Sequence, residues 1–304
     1  GAASGAKEGA MPSVAVNGVE LYYEEVGEGT PLVFSHEFAG SLESWEPQLG
    51  FFGRRYRCIA YNHRGYPPSS VPDDPVAYSE EQLVDDLRGL LDALGIARAH
   101  VCGLSMGGAV ALKFAIAHGD RCLGVVVAGA GGGSGNREQW QRDAQFTIRT
   151  FEEQGTEAVA AFYTRGPARV QLLRKDPRGW QRFYDLFRGH SAKGSALTMR
   201  GVQLKRRSVF EVEEELTRIQ APVCIMVGDE DETCLEPALL MKRRIPNAGL
   251  WILPKSGHAI NLEEPALFNA AVLEFLTAVE QGRWLPRAEV SSSLLPADLA
   301  GERR

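Results

Sequence analysis

Nowhere in the 304 residues do eighteen apolar side chains run together, so no membrane-spanning helix is expected. Cysteine is scarce and unpatterned. Cys58, Cys102, Cys122, Cys224 and Cys234 show no C-x-x-C and no zinc-ligand spacing, which argues against a disulfide framework or a zinc module. Three of them (Cys58, Cys102 and Cys224) lie inside apolar runs, where free thiols of a reducing, cytoplasmic compartment would be buried. Positive charge is not in excess: 33 Lys and Arg stand against 39 Asp and Glu, a net charge of −6. The chain as a whole therefore offers no basic field for nucleic acid. The six histidines do not cluster, and no metal or organic cofactor is implied. The first ten residues lack the apolar stretch of a signal peptide, and residues 1–12 read as a flexible leader.

Apolar residues make up 44% of the chain, ample for a packed core. Asn17-Gly18 between Val14–Val16 and Val19–Glu25 signals a hairpin. Pro31–Ser35, Tyr56–Tyr61, Ala99–Gly103, Leu123–Ala128, Pro222–Val227 and Gly249–Leu253 are short and apolar, as buried parallel strands are. Helical patterns lie between or after them, over Ser79–Leu94, Met106–His118, Glu236–Arg244 and Pro265–Glu280. Strand alternating with helix predicts an α/β fold with a mostly parallel, doubly wound sheet and a site at the carboxyl ends of the strands.

One interval breaks this rhythm. From Ser134 to Glu213 helical stretches (Arg137–Gln154, Glu157–Thr164, Pro177–His190, Ser195–Lys205) replace strands, so residues 134–213 are expected to form an inserted helical cap. The core then comprises 13–133 and 214–281, and residues 282–304 form a tail. The cap carries 15 Lys and Arg against 9 Asp and Glu, a net +6 within a chain of net −6. That bias suits solvated arginines on exposed helix faces, or a lid that attracts an anionic substrate. Trp180, Phe183, Tyr184 and Phe187 recur at helical spacing. The stripe is either cap core or, with Trp180 and Tyr184 facing the sheet, the roof of a pocket.

Chemistry concentrates at Gly103-Leu104-Ser105-Met106-Gly107, a G-x-S-x-G sequence between a strand and a helix. A serine projected from so tight a turn needs small neighbours, and it sits at a helix N-terminus whose N–H groups face developing negative charge. A hydroxyl needs a base. His258, in Ser256-Gly257-His258 after one late strand, is the expected base, and Asp229-Glu230-Asp231 after the preceding strand supplies acids that could orient it.

With these parts in this order, the chain resembles the α/β-hydrolase superfamily from about residue 13 to 280. The resemblance implies an acid in a G-x-x-D pattern, which selects Asp231 over Asp229, and a G-H-x-x-x-x-E-x-P segment, met by Gly257 to Pro265. It also implies an oxyanion hole from the backbone N–H of Met106 and of Phe38, in His36-Glu37-Phe38. Glu37 departs from the glycine common there. A carboxylate about 6 Å from a forming oxyanion would cost roughly 3 kcal/mol at an effective dielectric of 20. Glu37 is therefore expected to turn away from the hole, onto an arginine, the alternative being that it positions water or substrate in the pocket. His36 reads as a structural hydrogen-bonder, the alternative being a second base. Asn62-His63-Arg64-Gly65-Tyr66 resembles the family's D-x-R-G-x-G segment and reads as scaffold. The implied activity is a serine hydrolase acting on a small-molecule carboxylic ester or lactone. Rival readings are a C–C hydrolase of ring-cleavage products, a haloperoxidase- or perhydrolase-like activity on the same residues, and a non-catalytic ligand-binding member of the fold.

Overall fold

The computed structural model describes residues 12–300. The expected leader, Pro12 excepted, and the last four residues of the tail lie outside the described residues. Eight strands form one sheet: β1 (Ser13–Val16), β2 (Val19–Val26), β3 (Pro31–Ser35), β4 (Arg57–Tyr61), β5 (Ala99–Leu104), β6 (Cys122–Ala128), β7 (Val223–Gly228) and β8 (Ala248–Leu253). Their order is β1-β2-β4-β3-β5-β6-β7-β8. β1 and β2 pair antiparallel through Asn17 and Gly18, both with positive φ, the conformation of a two-residue hairpin turn. β2 also runs antiparallel to β4, and every pairing from β4 to β8 is parallel.

Helices lie between and after these strands: α1 (Glu46–Phe52), α2 (Glu80–Ala93), α3 (Met106–Ala117), α4 (Arg137–Gln154), α5 (Thr156–Tyr163), α6 (Val170–Lys175), α7 (Pro177–Arg188), α8 (Ala192–Thr198), α9 (Glu213–Leu216), α10 (Glu232–Arg244), α11 (Ile260–Glu263) and α12 (Pro265–Glu280). α8 continues into a π-helical turn over Met199–Gln203.

Every residue of β5 and β7 is buried, as expected for central parallel strands covered on both faces. Their side chains alternate between two cores. Val33, Ile59, Val101, Val125 and Ile225 pack with Leu87 of α2 and Val110 of α3. Leu32, Phe34, Cys102, Val126 and Cys224 pack on the other face with Phe52 of α1 and Phe268 and Phe275 of α12. All five cysteines are free and buried. Trp284 closes the second core, its ring centroid 4.8 Å from that of Phe275.

The chain leaves β3 toward β4 on one side, then returns through β5 and moves away on the other. The order reverses between β3 and β5, so the loops after these two strands part and leave a crevice at their carboxyl ends. The His36–Gly40 loop and Ser105 flank that crevice.

Candidate active site

Ser105 follows β5 and is the N-cap residue of α3, with φ 57° and ψ −115°. A non-glycine residue is strained there and persists only where its surroundings enforce it. Two glycines make the turn sterically possible. A Cβ on Gly103 would lie 2.0 Å from the Gly107 carbonyl oxygen, and one on Gly107 would lie 1.9 Å from that of Ser35. The Ser105 N–H is tied to the Ala128 carbonyl at 2.8 Å, fixing the turn against β6.

The loops after β7 and β8 bring two more side chains to this point. His258 Nε2 lies 2.7 Å from Ser105 Oγ, and His258 Nδ1 lies 2.6 Å from Asp231 Oδ2. Asp231 is buried, and the imidazole is 13% exposed. Asp229 is elsewhere: its Oδ1 accepts from the Ser256 N–H at 3.2 Å. The histidine loop is held on both sides. The His258 N–H donates to the Ala168 carbonyl at 2.6 Å, and the Glu263 carboxyl accepts the Gly257 N–H at 3.0 and 3.1 Å. A hydroxyl, an imidazole and a carboxylate so joined can pass a proton from oxygen to nitrogen while the carboxylate steadies the imidazolium.

The backbone N–H groups of Phe38 and Met106 have no hydrogen-bond partner among the described residues. The Phe38 ring is buried and packs edge-on to Phe151 and Tyr163, which holds its loop in place. A cavity of about 370 Å³ opens onto Ser105 and His258, bounded by Trp140, Phe162, Tyr163 and Arg169 among others.

Three expectations are corrected. Glu37 does turn to a partner, but the partner is the Ser44 hydroxyl at 2.6 Å and not an arginine. The loop folds its carboxyl back over Gly40, and Glu37 does not line the cavity. Burial raises its pKa toward the neutral form, and the hydrogen bond donated by Ser44, which favours the carboxylate, opposes part of that shift. A neutral carboxylic acid would exert little of the repulsion argued above. Trp180 and Tyr184 do not line the cavity either. The Trp180 indole donates to the Thr164 carbonyl at 2.9 Å and stacks on Tyr184 at 5.4 Å, so the stripe is internal packing among helices. The aromatic wall comes instead from α4 and α5, through Trp140, Phe146, Phe162 and Tyr163. Sequence reading missed these because periodicity shows which helix face is apolar but not which neighbour it meets.

Asp231, Cys234 and His258 place donor atoms within 4.8 Å of one another, a spacing that could suit a metal ion. Burial holds the Cys234 thiol well above its usual pKa, and its Sγ sits 3.5 Å from the Gly129 carbonyl as a donor. All three groups are already engaged, Asp231 with His258, His258 with Ser105 and Cys234 with the Gly129 carbonyl.

Beside Phe38, His36 and His63 are fully buried. His36 Nδ1 lies 2.7 Å from the Glu37 carbonyl, and its Nε2 accepts the His63 N–H at 3.0 Å, so both ring nitrogens serve the backbone. Burial lowers the pKa of His63 from 6.5 to about 3, with Arg64 adding to the effect, and lowers His36 in the same sense. Neutral in the fold but protonated when unfolded, such a group stabilises fully above pH 6.5 and loses that stabilisation as pH falls toward 3. His63 alone should then remove about 2 kcal/mol between pH 7 and pH 5. Urea unfolding at the two pH values should show that much less acid sensitivity in His63→Gln than in the parent protein, and equal sensitivity would refute the assignment. Arg64 forms two hydrogen bonds to Asp86, at 2.6 and 2.8 Å, and anchors the adjoining loop.

The sequence profile described as alpha/beta hydrolase fold matches residues 30–265. The chain belongs to that family. It is 31% identical over 258 residues to 3-oxoadipate enol-lactonase 2 of Acinetobacter baylyi, covering 84% of this chain and 92% of the relative. The crystal structure of the enol-lactonase from Burkholderia xenovorans LB400 superposes with a TM-score of 0.79 at 28% identity, over 88% of this chain and all of that one. A thermophilic esterase from Thermogutta terrifontis gives 0.78 at 25% identity, over 88% and 97%. No helix among the described residues is long and apolar enough to cross a membrane.

Proposed function

We propose that this α/β hydrolase is a serine hydrolase that cleaves a carboxylic ester or lactone through an acyl-enzyme on Ser105. The observation that carries the reading is the continuous hydrogen-bonded line from Asp231 through His258 to Ser105, with contacts of 2.6 and 2.7 Å. In this reading His258 Nε2 accepts the Ser105 proton as Oγ attacks the carbonyl. Asp231 holds Nδ1–H and stabilises the imidazolium. The unpartnered N–H groups of Phe38 and Met106 receive the oxyanion, each hole donor being worth about 3 kcal/mol. His258 then returns the proton to the leaving alcohol, and water deprotonated by the same imidazole releases the acid. Relatives named as enol-lactonase and esterase support this bond type.

The helices between β6 and β7 act as a cap whose aromatic side chains exclude water from the cavity. Five buried free thiols suit a reducing setting, the cytoplasm. The experiment is a panel of p-nitrophenyl esters, lactones and vinylogous diketones. Turnover of esters or lactones is expected. Turnover of diketones alone would replace the reading by C–C hydrolysis, and no turnover with an unreactive Ser105 would make the protein a binding member of the fold.

A further inference from the structure

Arg169 lies in the loop between α5 and α6 and lines the cavity with Ser105 and His258. It is 8% exposed. Its buried Nη1 has no hydrogen-bond partner, and its guanidinium forms no ion pair among the described residues. The other two buried arginines are served differently. Arg64 is paired twice with Asp86. Arg206 donates to Gln203 and to the Gly132 carbonyl and lies 3.8 Å from Glu80.

An arginine cannot shed its proton, and a buried charge without a partner is expensive. The Tyr163 ring, 4.6 Å from the guanidinium carbon, and Phe183, at 5.7 Å, offset part of that cost. They also hold the planar fork in place. Glu37 senses the Arg169 charge but spends its hydrogen bond on Ser44 and makes no ion pair with it. A carboxylate entering the cavity would supply a hydrogen-bonded partner for the unpartnered Nη1. The neighbouring Ala168 carbonyl grips the His258 N–H at 2.6 Å, so the guanidinium is tied to the histidine loop by one residue of backbone.

We infer that Arg169 is a specificity-determining residue that binds a carboxylate carried by the substrate, so that the preferred ester or lactone has a second, free acid group. The inference rests on the ester-hydrolase reading for its reaction, and the binding measurement below stands apart from turnover.

The test compares p-nitrophenyl hydrogen adipate and suberate with their p-nitrophenyl methyl diesters. One charge-assisted hydrogen-bonded pair predicts that kcat/KM favours the free acids by about 30-fold, mostly through KM. In Arg169→Met this ratio should fall close to one. Arg169→Lys keeps the charge without the fork, and should retain an intermediate ratio. In parallel, calorimetry on Ser105→Ala should show monomethyl adipate bound about 30-fold more tightly than dimethyl adipate, with the difference lost in the double variant carrying Arg169→Met. Circular dichroism checks that each variant is folded. If Arg169→Met does not fold, a ratio in Arg169→Lys equal to the parent's overturns the inference. A parent without acid preference, or a preference that survives Arg169→Met, overturns it too. If neither nitrophenyl ester is cleaved, the ester reading fails while the calorimetry still decides the carboxylate site.

Discussion

Ser105→Ala and His258→Ala should each lower kcat on a p-nitrophenyl ester by about 10⁶-fold, and the double variant should be scarcely worse than either. The reason is geometric. Oγ stands 2.7 Å from His258 Nε2, so the attacker and its base act as one unit, and removing either leaves the other without a task. KM should move little, because neither side chain supplies most of the aromatic wall. A residual rate above that of water should survive, since the Phe38 and Met106 N–H groups remain in place. Additive losses in the double variant would mean that the two residues work independently, contrary to the proposed mechanism.

The second large effect separates two neighbouring acids. Asp231→Asn should lower kcat by about 10⁴-fold, because an amide that donates toward Nδ1 favours the wrong imidazole tautomer. Asp229→Asn should stay within about threefold, at a stability cost of about 1 kcal/mol for the weakened contact to the Ser256 N–H. The contrast follows from distance alone: Asp231 Oδ2 is 2.6 Å from the imidazole, while Asp229 is engaged with the backbone of residue 256. Equal losses at the two positions would remove the assignment of Asp231.

Much of this architecture is legible before any coordinates. Asn17-Gly18 marks its hairpin, and the buried strands stand out by short apolar runs with Gly or Pro at their ends. G-x-S-x-G declares its strained turn because only small side chains let backbone segments approach to the distances seen around Gly103 and Gly107. The choice of Asp231 required the family pattern, since both aspartates follow the same strand. Local pattern fails where a contact depends on docking. α10 begins at Glu232, with Pro237 inside it, although Pro237 looks like a helix start near Glu236. α6 has only six residues, too few for a periodicity to register. The fate of fifteen basic residues in 134–213 is equally hidden: Arg165-Gly166-Pro167-Ala168-Arg169 reads as a loop, and only packing buries Arg169 against Tyr163.

The side chain of Glu37 is only partly legible in the sequence. A charge beside a forming oxyanion is unfavourable, and Glu37 is accordingly folded back over Gly40. Sequence cannot choose between an arginine and the Ser44 hydroxyl as its partner, because the path of the loop between residues 37 and 44, which brings the two side chains together, is not set by any local pattern.

The central claim is that the hydroxyl of Ser105 is an activated nucleophile. Intact-mass and peptide analysis after treatment with a fluorophosphonate tests it most directly. The account predicts one adduct per chain, located on Ser105, absent from Ser105→Ala and strongly slowed in His258→Ala. A folded protein that stays unlabelled while it cleaves esters, or that carries the adduct on another residue, would contradict it.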